Sequence, residues 1–282
     1  MLADYHVHLR PDGGEHKAED YFVSGNVERY REAASERGIT ELGVSEHVHR
    51  FTAGLGVWQH DWWKRNGRDD IDEYNAFARE AGLKVGIEAD LVRGREEQMA
   101  ALLDAREWDY VVGSVHFLQD EAVDMRDSPW DIWDSADPDD VWTRYFETLG
   151  HAAATGLFDI MAHPDLVKVW GKGAPVPDGD LRRFYELAMP GIEQADVAIE
   201  VSTAGLRKPV GEIYPTAEFL RMCLDLGKPV ALSSDAHVPE DLGHGYDQAI
   251  HFLQDLGVHE LAVLAGRERR MEPLSDTAEP AG

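Results

Sequence analysis

His6 and His8 stand two apart in DYHVHL, whose alternation reads as a β-strand, so both imidazoles leave one face and can grip a single cation together. Asp235 and His237 repeat that offset in SSDAH, far along the chain. Between them Glu46, His47, Glu88, His116 and His163 each fall at or near the end of an apolar run. These are nitrogen and oxygen donors with no thiolate, a set that suits Zn²⁺, Fe²⁺ or Mn²⁺ and argues against a soft copper site. Cations held close together lower the pKa of a shared water towards neutrality and supply hydroxide as a nucleophile, with no need for a covalent intermediate. Each motif alone is ordinary. A lone His at a strand end usually just finds a hydrogen bond, and His163-Pro164-Asp165 also reads as a turn. Their joint arrangement is what points to metal.

The elements that must position these residues follow from periodicity. Short Val/Ile/Leu runs at 4–9, 40–46, 83–89, 109–116, 157–163, 197–202 and 229–234 read as strands. Amphipathic stretches at 26–37, 70–81, 95–106, 139–154, 179–195, 215–226 and 246–256 read as helices between them, and Gly38, Gly82, Gly156, Gly227 and Gly257 stand where C′ glycines belong. Alternating strands and helices imply an α/β fold with a mainly parallel sheet, whose carboxyl ends gather on one face of a barrel or wound sheet. Residues 1–271 read as one domain, and 272–282 (EPLSDTAEPAG) as a disordered tail. Two Trp-bearing insertions, 51–69 and 118–138, follow the second and fourth strands, where active-site loops sit.

Composition narrows the function. The 282 residues carry 54 acidic against 27 basic side chains, a formal charge of −27, which disfavours non-specific binding to nucleic acid or anionic membrane. The same field repels phosphate esters, so local cations must reverse it wherever one binds. At 43% apolar residues there is material for a large core, and the lone Cys223 reads as an inert core thiol that cannot form an internal disulfide. Residues 1–10 lack the features of a secretory signal and no apolar run reaches spanning length, so the expectation is a cytoplasmic protein of unknown oligomeric state. His49, His60, His151, His244, His251 and His259 read as surface or packing residues. His16, in a Gly-containing loop after the first strand, reads as a further ligand folding back over His6 and His8.

In that order, His6-Val7-His8, Glu46-His47, Glu88, His116, His163-Pro164 and Asp235-Ala236-His237 resemble the polymerase-and-histidinol-phosphatase (PHP) superfamily. SVHF at 114–117, EVSTAGLRKP at 200–209 and SDAHVPEDLG at 234–243 look like its histidinol-phosphate phosphatase branch. The resemblance implies a distorted (β/α)7 barrel with a trinuclear metal site at the carboxyl ends of its strands. It implies one ion on His6, His8, Glu88 and Asp235, a second on Glu88, His116 and His163, and a third on His16, His47 and His237. Glu46 is expected either to bind metal or only to orient His47.

The chemistry this implies is hydrolysis of a small phosphate monoester, L-histidinol phosphate, by in-line attack of a metal-bridging hydroxide. Arg207 would clamp the phosphate with two nitrogens of its planar guanidinium, and Arg126 is a second candidate. The leaving alkoxide would take its proton from Asp235, or from His237, through a water. Trp58, Trp62, Trp63, Trp130 or Trp133 would wall the imidazole while nearby carboxylates attract the ammonium group. Two other readings compete: a PHP phosphoesterase acting on nucleotides or short oligonucleotides, which the charge of −27 disfavours, and a non-catalytic module whose metals serve structure.

Overall fold

The apolar runs form strands that all point the same way. Among the residues described by the computed structural model, 1–14 and 16–275, these are Ala3–Asp4 (β1), Glu41–Val44 (β2), Lys84–Asp90 (β3), Tyr110–Ser114 (β4), Ile160–Met161 (β5), Ala198–Ser202 (β6) and Val230–Ser233 (β7). They pair in parallel, in chain order. Closure between the last and first strands comes from a bridge joining Val7 to Ala236, and from Asp4, which accepts hydrogen bonds from the Ser234 amide (3.1 Å) and hydroxyl (2.5 Å). Burial pushes the Asp4 carboxyl up to about 6 despite those bonds. The result is the nearly closed (β/α)7 barrel that the sequence implied.

Helices Ser24–Glu36 (α1), Ile71–Glu80 (α2), Glu96–Asp104 (α3), Pro138–Ala154 (α4), Arg182–Gln194 (α5), Ala217–Asp225 (α6) and Tyr246–Asp255 (α7) cover the outside. Their ends follow local chemistry. Asp70 caps α2 by accepting from the amides of Asp72 and Glu73, and Asp137 caps α4 ahead of Pro138. Gly38 and Gly227 leave α1 and α6 at φ of +65° and +71°, which a side chain would resist. None of these helices is long and apolar enough to cross a membrane. Cys223 is buried in α6 as a free thiol.

Residues 260–273, to which the sequence reading gave no element, form an antiparallel hairpin of Glu260–Ala265 (β8) and Glu268–Pro273 (β9). Ala262, Val263 and Leu264 pack with Tyr5, Tyr110, Val112 and Ile160 into an apolar plug inside the barrel. Because the hairpin supplies three buried residues to this cluster, ordered chain continues past the expected boundary at 271. Leu274 and Ser275 still donate to the carbonyls of His259 and Met1. The rest of the expected tail, 276–282, lies outside the described residues.

Helices α4 and α5 pack where glycines permit close approach. A Cβ on Gly191 would stand 1.9 Å from the Gly150 carbonyl oxygen, which is backbone and cannot swing away. Gly191→Ala should therefore lower stability by about 1–3 kcal/mol or more, read as an earlier midpoint in urea denaturation. An unchanged midpoint would show that the two helices tolerate separation.

Candidate metal centre

Glu88, near the end of β3, is fully buried among five imidazoles. Its Oε2 lies 3.2 Å from His6 Nε2, 3.5 Å from His8 Nε2 and 2.5 Å from His47 Nδ1, while Oε1 faces His163 Nε2 at 3.4 Å and His116 Nε2 at 3.5 Å. Asp235 adds a carboxylate 3.4 Å from His8 Nε2 and 3.7 Å from His6 Nε2. Burial alone would raise the Glu88 carboxyl, but His47, His6 and His116 outweigh it and hold the group ionised, well below its usual range.

Four interlocking sets of donor atoms, each within 4.8 Å, result: His6, His8 and Asp235; His6, Glu88 and His163; His47, Glu88 and His116; His8, His47 and His237. Both oxygens of Glu88, Nε2 of His6, His8 and His237, and Nδ1 of His47 are buried without hydrogen-bond partners. Orphaned donors converging in this way fit divalent cations, since left alone they would pay the full desolvation penalty. Glu88 belongs to two sets, as a bridging carboxylate must.

Acids that the sequence reading did not single out fix the rings. Glu200 on β6 sits 2.8 Å from His6 Nδ1, which leaves Nε2 facing the cluster, and its other oxygen accepts from the His163 amide at 2.6 Å. Asp90, two residues after Glu88, does the same for His116 at 2.6 Å. The available signal was a carboxylate inside an apolar strand, VAIEVS and VGIEAD. His163 (φ +24°) and Asp235 (φ +51°) occupy left-handed backbone unusual for side-chain-bearing residues. Glu200 pins the first, and Arg207 the second through the Asp235 carbonyl at 3.1 Å.

Four expected site residues stand elsewhere. Glu46 turns to the loop after β1, accepting from the amides of Leu9 (2.6 Å) and Arg10 (3.0 Å) and pairing with Arg50 at 2.7 Å. Burial opposes its charge, but Arg50 and His8 hold its carboxyl at about 2, so it is a tether rather than a member of the donor sets. The His16 ring folds over Gly14 and joins no donor set, and Asp12 of the same loop meets His237 Nε2 instead, at 3.2 Å. Arg126 braces its own loop, bonded to Asp131 and to the Gly173 carbonyl. Arg207 spends Nη2 on the Ser234 and Asp235 carbonyls and faces Asp241 through Nε at 3.3 Å, leaving only Nη1 unpartnered. The two-nitrogen clamp is therefore not available.

His47, His116, His163, Asp235 and His237 of the cluster line a cavity of about 450 Å³. Trp62, Phe117 and Trp170 line its side, with Lys208 at one edge. Trp63 and Trp133 are core residues instead, and Trp58 stacks on His60 at 4.3 Å. His49, read from sequence as surface or packing, lines the cavity and packs against Trp62 at 4.2 Å between ring centres.

Residues 23–204 match the PHP domain family model. A probable histidinol-phosphatase of Deinococcus radiodurans is 29% identical over 280 residues, covering 96% of this chain and 99% of the relative. The crystal structure of a histidinol phosphate phosphatase from Lactococcus lactis, complexed with zinc, L-histidinol and phosphate, superposes with a TM-score of 0.70 at 18% identity, covering 95% of this chain and 98% of the other. That of a putative histidinol phosphatase from Listeria monocytogenes gives 0.66 at 20% identity, covering 88% and 98%.

Two outcomes are expected of the centre. Glu200→Gln releases the His6 ring and should weaken metal binding about 10- to 100-fold while leaving the fold intact, measured by chelator competition; unchanged affinity would show that His6 needs no orienting partner. In the metal-free protein burial opposes the charge on His116, but Asp90 and Glu88 raise its pKa to about 10, so at pH 7 it carries a proton that a cation must displace. Metal loading should therefore release protons and strengthen as pH rises towards 10, read by calorimetry in buffers of different ionisation enthalpy. Loading without proton release would refute this protonation state.

Proposed function

Because the chain belongs to the PHP domain family, we propose that it is a metal-dependent phosphoric monoester hydrolase that cleaves L-histidinol phosphate to L-histidinol and phosphate. The observation that carries this reading is Glu88, a buried carboxylate shared among five imidazoles, of which His47, His116 and His163 line a cavity sized for a small molecule. His6, His8, His47, Glu88, His116, His163, Asp235 and His237 would hold two or three divalent ions. Zinc is the ion bound in the Lactococcus lactis neighbour. Such ions supply Lewis acidity, making a water more acidic and neutralising charge on phosphate oxygens.

The chain's own groups account for proton movement and binding. Burial would raise the Asp235 carboxyl, yet the charge on His6 and a hydrogen bond from His8 hold it well below the usual range. It meets the substrate as a carboxylate, able first to take the proton of the attacking water and then to return it to the leaving alkoxide. His237, lowered to about 3 chiefly by burial and then by His8, is neutral and acts as a ligand rather than a donor. Lys208 lines the cavity with no ion-pair partner among the described residues, and it supplies the local positive charge that a phosphate needs against a net −27. Of the cations lining the cavity, Arg10 and Arg50 are paired with buried or loop carboxylates, and the one free lysine offers no track for a long polyanion, so the oligonucleotide alternative is disfavoured.

Phosphate release from L-histidinol phosphate by the metal-loaded protein tests the reading, and a metal-replete protein that leaves this ester intact overturns it. His116→Ala should lower both metal content and kcat. Lys208→Ala should raise KM about 10-fold or more with metal content unchanged. If KM does not move, the phosphate sits away from Lys208.

A further inference from the structure

The Trp-rich insertion 118–138 ends one of its turns at Val123, whose carbonyl accepts two indole N–H bonds, from Trp133 at 2.8 Å and Trp170 at 2.9 Å. The Val123 amide donates to the His116 carbonyl at 2.9 Å, and the next amide back, Ala122, donates to the Trp130 carbonyl at 2.7 Å. Beyond it, Asp131 accepts from Arg126 (2.9 Å) and from the Asp127 amide (3.0 Å). Residue 124 is thus fixed from both sides.

That residue is an aspartate. Asp124 lines the cavity, its Oδ1 is buried, and its side chain makes no hydrogen bond or ion pair among the described residues. It belongs to none of the four donor sets. The charged groups acting on it are His116 and His163 of the cluster, Lys208 at the cavity edge, and the carboxylate of Asp90. A carboxylate so placed, rigidly held and unpaired, is costly unless something cationic meets it.

We infer that Asp124 is a specificity-determining residue that receives the protonated amine of the leaving alcohol. The inference rests on the L-histidinol phosphate reading and gives the substrate's amine a partner in the site. The charges match: phosphate meets the cluster and Lys208, and ammonium meets Asp124 in the same cavity. Trp62 and Trp170 remain as faces for the ring of such an alcohol.

The test compares metal-loaded wild type and Asp124→Asn on L-histidinol phosphate and on imidazolylpropyl phosphate, which keeps ring and ester but lacks the amine. Wild type should favour the amine-bearing ester by about 10- to 100-fold in kcat/KM. Asp124→Asn should abolish that preference by lowering the first rate and leaving the second nearly unchanged, with Asp124→Glu restoring part of it. Equal loss on both esters, or loss of bound metal, overturns the inference in favour of a role in proton delivery, loop support or metal ligation. If wild type cleaves neither ester, the phosphatase reading fails, and calorimetric binding of L-histidinol decides for Asp124: affinity lost in Asp124→Asn supports its role, and affinity retained overturns it.

Discussion

One buried carboxylate sets the terms for this protein. Glu88 is removed from water and held as an anion, a state that costs several kcal/mol in a protein interior unless matched by opposite charge. Five imidazoles from four stretches of chain surround it, and the inward nitrogens of His6, His8 and His47 lack hydrogen-bond partners. The barrel closes so that this gathering is possible. His6 and His8 follow β1, Asp235 and His237 follow β7, and the bond between Ser234 and Asp4 brings these two groups together.

Outside that cluster the protein uses more acids to orient the ligands than to bind anything. Glu200, Asp90 and Glu46 are each buried and each tied to a ring, a backbone amide or an arginine. Glu200 and Asp90 fix which nitrogen of an imidazole faces inward, and Glu200 holds backbone at His163 that is otherwise unfavourable. Arg207 plays a comparable part for Asp235, so its loss would disturb the cluster as well as any anion bound nearby. These tasks explain why so acidic a chain keeps carboxylates inside its barrel.

The two insertions divide their labour. Residues 51–69 send Trp63 into the core and Trp62 to the cavity wall, where His49 lies against it. Residues 118–138 form a braced loop in which Trp133 and Arg126 serve the backbone while Asp124 faces the cavity. Aromatic content alone did not separate these uses, because an indole filling the core and one lining a wall look the same in sequence.

Strand order, helix ends and the positions of the ligand-bearing strand ends were legible because they depend on local periodicity and on residue types that few other roles employ. His6-x-His8 and Asp235-x-His237 announce a shared face, and Gly38 and Gly227 announce helix ends, without reference to any distant residue. The hairpin at 260–273 escaped that reading, since its apolar residues acquire meaning only against Tyr5 and Tyr110 inside the barrel. The same limit governed His16 against Asp12, Glu46 as tether against ligand, and Arg207 as backbone clasp against phosphate clamp. Each choice is settled by which groups stand within about 3 Å in space. Sequence supplied the donors, and tertiary packing decided which of their hydrogen bonds were already taken.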